Sequence, residues 1–218
     1  MTHQKCFEFN LFAENSYVIY NDHKEAAIID PGCSTPDECR QLSDFIKKEG
    51  LKPVLLINTH CHIDHVLGNY FVCREYGLAP LLHRNELPLL ESLPKVAAIY
   101  GVQATPSPAP LRFIEEHEKI ALGDITLEVL YCPGHSPGGL CLYDAANKML
   151  WGGDVLFLES IGRTDLPGGD YDTLEQNILT KLFVLPDDVK VFSGHGAPTT
   201  IGHEKLYNPF VGKARLSI

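Results

Sequence analysis

The sequence predicts an α/β fold with two sheets and helices on the outside of them. Three features lead to this prediction: strand-like alternation in the N-terminal part, helical periodicity after it, and short apolar runs typical of buried strands in the second half. No internal repeat, low-complexity tract or block of charge divides the chain. We therefore expect a single domain that spans residues 1–218.

The first elements are strands, followed by a capped helix. Thr35, Pro36 and Glu38 form the pattern of a capping box with proline at the first helical position. Apolar residues then recur at helical spacing until Gly50, which ends the helix. Three strands are expected at Lys5–Asn10, Ser16–Tyr20 and Glu25–Asp30, and further helices from about Asp64 to Glu75, from Glu86 to Tyr100 and from Tyr171 to Leu185.

Four short apolar segments have the character of buried strands, and a turn with histidine or aspartate follows each of them within a few residues. In layered α/β folds, ligands bind at the carboxyl ends of strands. We therefore expect the polar groups of these turns to gather at one edge of the fold. The four segments are Pro53–Asn58, Leu127–Tyr131, Lys148–Trp151 and Val189–Phe192.

Charge and composition exclude several classes of partner. The 28 Asp and Glu residues outnumber the 18 Lys and Arg residues, so the net charge is −10 and no basic stripe is available for nucleic acid. No apolar run approaches the roughly 18 residues of a membrane span. The first residues also lack the apolar core of a signal peptide. The seven cysteines include no C-x-x-C pair, which favours free thiols in a reducing cytoplasm.

The densest chemical signal is the segment from Thr59 to His65, which reads THCHIDH. Residues two apart on an extended segment face the same way, so His60, His62 and Asp64 project together. His65 begins the following helix and can turn back toward them. Imidazole and carboxylate donors suit Zn²⁺ or Fe²⁺. One ion cannot use all four donors from so tight a turn, which indicates two divalent metal ions.

Three further strand ends supply His135, Asp154 and His195, each beside glycine. If Asp154 bridges two ions, the other six donors divide into two sets of three and leave room for a shared water. Taken alone, Asp64 is most simply a helix cap and Asp154 a turn residue. The combined pattern favours a metal site over these simpler interpretations.

These motifs resemble the metallo-β-lactamase-fold superfamily, whose signature is T-H-x-H-x-D-H followed by distant His, Asp and His. Within it, the segments 133–139, 153–157 and 161–170 are similar to those of glyoxalase II-like, or hydroxyacylglutathione hydrolase-like, enzymes. The resemblance implies a four-layer αββα sandwich. It covers nearly the whole chain, but few residues follow His195, so we expect a compact form without the C-terminal helical domain that contacts glutathione in glyoxalase II.

The resemblance also implies a division of the metal ligands. His60, His62 and His135 would bind one ion, Asp64, His65 and His195 the other, and Asp154 would lie between them. Zinc is the favoured metal, with iron and manganese as the alternatives.

Other residues carry weaker signals. Arg163 is a candidate for binding an anionic substrate, although Asp165 and Asp170 allow an ion pair that braces the loop instead. Cys61 and Cys132 flank metal-ligand candidates and are expected to be structural thiols. The remaining histidines have no partner pattern and are expected at the surface: His3, His23, His83, His117 and His203.

The predicted activity is metal-dependent hydrolysis of a small 2-hydroxyacyl thioester, such as S-lactoylglutathione, by a hydroxide that bridges the two ions. Asp64 would orient this nucleophile as well as bind metal. The first alternative is a persulfide dioxygenase, in which His60, His135 and Asp154 hold a single Fe²⁺. A lactonase, a β-lactamase and a non-catalytic zinc-stabilised module are further alternatives. The acyl group, the thiol carrier and the oligomeric state stay open.

Overall fold

The computed structural model describes residues 1–213, which form two six-stranded sheets and a short hairpin. The first sheet has the order β1 (His3–Phe9), β2 (Glu14–Tyr20), β3 (Glu25–Ile29), β4 (Lys52–Ile57), β5 (Pro80–Leu82) and β6 (Arg112–Phe113). The second sheet contains β7 (Lys119–Leu122), β8 (Ile125–Tyr131), β9 (Leu140–Asp144), β10 (Met149–Gly153), β13 (Lys190–Ser193) and β14 (Thr199–Thr200), in the spatial order β14-β13-β10-β9-β8-β7. The hairpin consists of β11 (Leu156–Phe157) and β12 (Ser160–Ile161).

Within the described residues, six α-helices accompany the sheets. They are α1 (Pro36–Glu49), α2 (Ile63–Val66), α3 (Asn69–Tyr76), α4 (Leu87–Tyr100), α5 (Tyr171–Asn177) and α6 (Ile201–Tyr207). Strands β3, β4, β5 and β6 pair in parallel, and parallel neighbours need long crossover connections. Helices α1, α3 and α4 lie in those crossovers. The second sheet is antiparallel except for the pair β10 and β13.

The hydrophobic core has layers because successive strand residues point to opposite faces. Tyr17 and Ile19 of β2 pack between the two sheets, whereas Val18 packs outward with Leu42 and Ile46 of α1. The outer face of the second sheet packs in the same way against α5 and α6. The predicted α/β class and the four-layer αββα sandwich are therefore confirmed.

Helix α1 follows the sequence pattern closely. The Thr35 hydroxyl accepts a hydrogen bond from the Glu38 amide, the Glu38 carboxylate accepts one from the Thr35 amide, and Gly50 ends the helix in the left-handed conformation. Both α1 and α4 contain 14 residues, fewer than the roughly 20 that span a bilayer. Within residues 1–213, no helix has the length and apolar character to cross a membrane.

Two predicted helices are interrupted. The helix expected from Asp64 to Glu75 is divided at Leu67 and Gly68 into α2 and α3. The Gly68 amide donates to the carbonyl of Pro31 at 2.7 Å, and a Cβ on Gly68 would lie 2.5 Å from Sγ of Cys33. This close approach of two loops sets the break. The helix expected to continue to Leu185 ends as α5 at Asn177, and a π-helical turn follows at Ile178–Leu182.

Candidate metal centre

The predicted donors lie at the carboxyl ends of four strands. The segment from Thr59 to His65 follows β4, His135 follows β8, Asp154 follows β10 and His195 follows β13. These strands belong to both sheets, so the two halves of the chain contribute to the same edge of the sandwich. All seven predicted donors come together there.

One cluster consists of His60, His62 and His135. Their candidate ligand atoms all lie within 4.8 Å of one another. The Nδ1 atom of His62 is 2.9 Å from Nε2 of His135, and the ring centroids of His60 and His135 are 4.9 Å apart. We call these three residues the imidazole cluster.

A second cluster consists of Asp64, His65 and His195, whose ligand atoms meet the same 4.8 Å limit. The Nε2 atom of His195 is 3.1 Å from Oδ2 of Asp64, and Nε2 of His65 is 3.7 Å from the same oxygen. His65 is fully buried, whereas the side chain of His195 is partly exposed. We call these three residues the mixed cluster.

Asp154 lies between the two clusters. Its Oδ2 atom is 3.5 Å from Nε2 of His135 in the imidazole cluster and 3.5 Å from Nε2 of His195 in the mixed cluster. Its Oδ1 atom is 3.5 Å from Nε2 of His65. Asp154 is therefore in position to contact an ion in either cluster.

Several polar atoms at this edge have no hydrogen-bond partner within the described part of the chain. They are Nε2 of His60, His62 and His65 and Oδ1 of Asp154, all of them buried. Buried polar atoms in folded proteins are nearly always paired. Nitrogen and carboxylate oxygen donors are also those that Zn²⁺ and Fe²⁺ accept. The site therefore fits divalent metal ions.

The two clusters differ in proton affinity. Burial lowers the pKa of His60, and it lowers the pKa of His62 to about 4. Burial also lowers the pKa of His65 in the mixed cluster, but the negative charges of Asp154 and Asp64 outweigh it, and the pKa is raised well above its ordinary value. His195 behaves similarly because its hydrogen bond to Asp64 overcomes the effect of burial on its pKa. The imidazole cluster is thus neutral at pH 7, whereas the mixed cluster attracts protons.

The sequence profile of the metallo-beta-lactamase superfamily matches residues 10–195, a range that includes all seven donors. The chain belongs to the metallo-β-lactamase superfamily. The resemblance inferred from the motifs is thereby confirmed. Membership, together with the clustered histidines and aspartates, supports a hydrolase that uses divalent metal ions.

Individual members of the superfamily are similar over almost the full chain. A protein from Haemophilus influenzae named hydroxyacylglutathione hydrolase GloC is 40% identical over 203 residues, which covers 92% of this chain and 93% of the relative. The crystal structure of BLEG-1 B3 metallo-β-lactamase has a TM-score of 0.88 at 36% identity and covers 96% of this chain and 99% of that chain. The structure of TTHA1623 in a di-iron-bound form has a TM-score of 0.85 at 34% identity, with coverages of 94% and 99%.

In this member of the superfamily, the Nδ1 atoms of two histidines of the metal centre contact neighbouring oxygen atoms. Nδ1 of His65 is 3.1 Å from the carboxylate of Asp30, which also accepts a hydrogen bond from the Thr59 amide at 2.7 Å. Nδ1 of His135 is 2.8 Å from the carbonyl of Arg163. Such contacts fix the orientation of metal-binding histidines. Asp30 directly follows β3, and the sequence analysis, which placed it at the end of a strand, did not assign it this contact.

Glu86 is a functional candidate that sequence analysis missed. Its buried carboxylate accepts hydrogen bonds from the Cys61 amide at 2.6 Å and from the Gly138 amide at 2.5 Å. Cys61 lies between His60 and His62, and Gly138 belongs to the loop after His135, so Glu86 ties together the two loops of the imidazole cluster. In the sequence, Glu86 is a single acidic residue before an apolar helix, and no motif marks it.

Arg163 lies next to the site but is paired. Its Nε and Nη2 atoms each donate to the carboxylate of Asp165 at 2.7 Å. The side chain of Arg163 is 61% exposed and lines the cavity beside the metal centre. Asp170 caps α5 through the Thr173 amide and does not pair with Arg163. The structure thus contains the bracing ion pair, and substrate binding by Arg163 stays a prediction.

The expectation that all other histidines lie at the surface is wrong for His83. This ring is buried and stacks on Tyr131 with the centroids 4.3 Å apart. It follows β5 directly, and its Nδ1 atom accepts a hydrogen bond from the Asn85 amide at 3.3 Å. A histidine with this local capping contact carries no distinctive spacing in the sequence. Cys61 and Cys132 are buried in the hydrophobic core, and all seven cysteines are free.

Proposed function

We propose that this chain is a thioesterase that hydrolyses small 2-hydroxyacyl thioesters such as S-lactoylglutathione, with two divalent ions at the metal centre. The observation that carries the proposal is the position of Asp154, within 3.5 Å of histidines from both clusters. A carboxylate in this position suits a two-ion hydrolytic site. The relative named hydroxyacylglutathione hydrolase supports the choice of substrate.

Each cluster would hold one ion. His60, His62 and His135 would bind the first, Asp64, His65 and His195 would bind the second, and Asp154 would contact both. Zinc is favoured by the donor set, and iron is the alternative because the similar structure of TTHA1623 is a di-iron-bound form. When bound, such ions lower the pKa of water to about 7 and polarise a carbonyl oxygen.

The protein's own carboxylate would orient the attacking water. Asp64 lines the cavity, and its Oδ2 atom is 3.1 Å from Nε2 of His195. In the metal-free protein, burial raises the pKa of Asp64, but the positive charge of His65 and the hydrogen bond from His195 lower it by more, so the net shift is downward and the carboxylate is ionised at neutral pH. An ionised carboxylate can accept a hydrogen bond from water. A thioester suits this site because a thiol with a pKa of about 8.5 leaves without a strong acid.

The proposal is tested by thiol release from S-lactoylglutathione. We expect turnover that a chelator removes and added zinc or iron restores. Asp154→Ala should be inactive, whereas Asp44→Ala, the same change on the exposed face of α1, should keep the wild-type rate. A metal-loaded protein that releases no thiol from any 2-hydroxyacyl thioester would refute the proposal.

A β-lactamase is the second candidate, because the chain is 36% identical to a structure named as a B3 metallo-β-lactamase. The same preparation should therefore be offered a chromogenic cephalosporin. Rapid opening of the β-lactam without thioester hydrolysis would favour this candidate. The persulfide dioxygenase is tested by oxygen uptake with glutathione persulfide, and it needs only three of the seven donors.

We further propose that the chain is a single domain and that the protein works in a reducing cytoplasm. Seven free cysteines, five of them buried, support this location. The net charge of −10 argues against a nucleic-acid partner. Disulfides found by mass spectrometry of the protein isolated from cells under thiol-trapping conditions would contradict the assignment to a reducing compartment.

A further inference from the structure

The metal centre opens into a cavity of about 760 Å³, and helix α4 forms one wall of it. Leu89, Leu93, Val96 and Tyr100 all line this cavity. Their spacing of four, three and four residues places them on one stripe of the helix. The wall that α4 contributes to the cavity is therefore mainly apolar, with Ser92 and Lys95 as the polar side chains of this helix in the lining.

This apolar surface is accessible. Ile99, which also lines the cavity, is 73% exposed, and Tyr100 is 51% exposed. Phe12 extends the wall, since its ring meets that of Tyr100 edge to face with centroids 5.2 Å apart. Clustered exposed apolar side chains of this kind commonly mark a ligand-binding groove. Phe157, Leu166 and Pro167 add further apolar lining.

The same cavity is lined by His62, Asp64, His135, Asp154 and His195. Any molecule that contacts the metal centre therefore has the apolar wall beside it. A volume of about 760 Å³ is that of a pocket for a drug-sized ligand, within the usual range of roughly 300–1,000 Å³. A lactoyl group has only a handful of non-hydrogen atoms and leaves most of this space unfilled.

Charge offers little recognition in this cavity. The Lys and Arg side chains of its lining are Lys95 and Arg163, and Arg163 is paired through two hydrogen bonds with Asp165. An anionic thiol carrier such as glutathione therefore finds few positive partners. An apolar group finds the apolar stripe of α4 and the side chains of Phe157, Leu166 and Pro167 in the same cavity.

The structure assigns this cavity to an apolar arm of the substrate, so that the preferred substrates are thioesters that carry an extended alkyl or aryl group. The assignment rests on the proposed thioesterase function of the adjoining site. Burial of the arm against α4 provides the selectivity, and Ile99 and Val96 are specificity-determining residues. The arm belongs either to the acyl side or to the thiol side, and the chemistry of recognition is the same.

Binding tests the cavity independently of turnover. The probes are non-hydrolysable thioethers with S-ethyl to S-hexyl groups, measured by calorimetry on the metal-loaded protein. We expect affinity to rise up to about fourfold for each methylene that is buried, the effect of ~0.8 kcal/mol per methylene. Equal affinity along the series would overturn the assignment.

Variants locate the arm. Ile99→Asn should weaken the increase of affinity with the length of the alkyl group. Val96→Asn, at a half-buried position on α4, should have the same effect. Val184→Asn is the matched control, because Val184 is 70% exposed and lies outside the cavity lining. Ile99 is exposed, so its replacement does not endanger folding. An unchanged dependence in Ile99→Asn and Val96→Asn would overturn the role of α4.

Kinetics separates this inference from the proposed function. Two series of 2-hydroxyacyl thioesters are compared, one with the longer alkyl group on the acyl side and one with it on the thiol side. An increase of kcat/KM along either series supports the assignment and identifies the arm. No increase on either side, with lactoyl thioester still hydrolysed, overturns it. If no thioester is hydrolysed, the proposed function fails. The binding of the thioether series then tests on its own whether the cavity accepts an apolar group.

Discussion

The imidazole cluster and the mixed cluster lie side by side and share the THCHIDH segment, yet the pKa values of their histidines are shifted in opposite directions. His60 and His62 are buried among other imidazoles, so the neutral form is favoured. His65 and His195 face Asp64 and Asp154, which stabilise the protonated form. Metal ligands must be deprotonated. The imidazole cluster is therefore ready for an ion at neutral pH, whereas the mixed cluster must release protons first.

The strongest test of this comparison is Asp154→Ala. Asp154 is the one residue of the seven that lies between both clusters, so its removal should reduce turnover by at least about 100-fold and lower the metal content. Metal per chain and thiol release are measured on the same sample, with Asp44→Ala as the control. Full metal content with normal turnover would show that Asp154 does not join the clusters.

Asp64→Asn should affect the mixed cluster alone. The amide keeps the shape of the side chain but removes the negative charge that raises the pKa of His195. It also removes the charge proposed to orient the attacking water. We expect about one ion per chain, held by the imidazole cluster, and turnover reduced by about 100-fold. Elemental analysis checks the first expectation and thiol release the second. Loss of both ions would mean that the clusters do not bind independently.

Glu86→Gln should act on the imidazole cluster through its loops. A glutamine amide offers one acceptor oxygen, and its NH₂ group would face the second of the two backbone N–H donors, Cys61 and Gly138. Changes of this kind weaken metal binding by roughly 10–100-fold. Competition with a chelator measures the affinity, and Glu91→Gln on the exposed side of α4 is the control. Affinity equal to that of the control would remove Glu86 from the list of positioning residues.

The smallest effects concern pH in the metal-free protein. Burial lowers the pKa of His62 to about 4, so the unfolded chain binds this proton first and the free energy of unfolding falls as pH drops from about 6.5 toward 4. The raised pKa of His195 acts with the opposite sign. The stabilisation that His195 adds to the free energy of unfolding is complete below about pH 6.5, and it is lost as the pH rises through the raised pKa of His195.

NMR titration of the histidine rings after metal removal measures both groups, and denaturation at several pH values measures the stability. His62 titrating near its ordinary pKa of about 6.5 would contradict the distinction between the clusters. So would a value for His195 below that of His62.

Much of the fold and of the centre followed from local sequence patterns. Helix α1 was predictable because Thr35, Glu38 and Gly50 act through contacts within a few residues. The seven donors were predictable because four of them lie in one short segment and the others follow recognisable strands. Their roles as ligands remain predictions that metal analysis must test.

The features that the sequence did not predict depend on distant contacts. The break between α2 and α3 arises where Gly68 approaches Pro31 and Cys33, and helical periodicity continues through it. Glu86 acts through backbone amides that lie 25 and 52 residues away. His83 is buried by its stacking on Tyr131. None of these contacts leaves a pattern along the chain.

The loop that carries His195 is hydrogen-bonded to strand β2 near the N-terminus. The Asn15 amide donates to the carbonyl of Gly194 at 2.7 Å, and the Tyr17 hydroxyl donates to the carbonyl of Ser193 at 2.7 Å. These contacts join residues separated by about 180 positions in the sequence. Strand β2 therefore supports the donor that is synthesised last.

The positions of the donors along the chain set an order in which the two proposed sets can form during synthesis. A nascent chain emerges from its N-terminus, so His60 and His62 are exposed to the cell long before His135 and His195 have been translated. The proposed first set of donors is complete only when His135 has been made, and the second only when His195 has been made. Binding of the second ion would therefore follow synthesis of nearly the whole chain, and a product that terminates before His135 carries histidines that cannot complete either set.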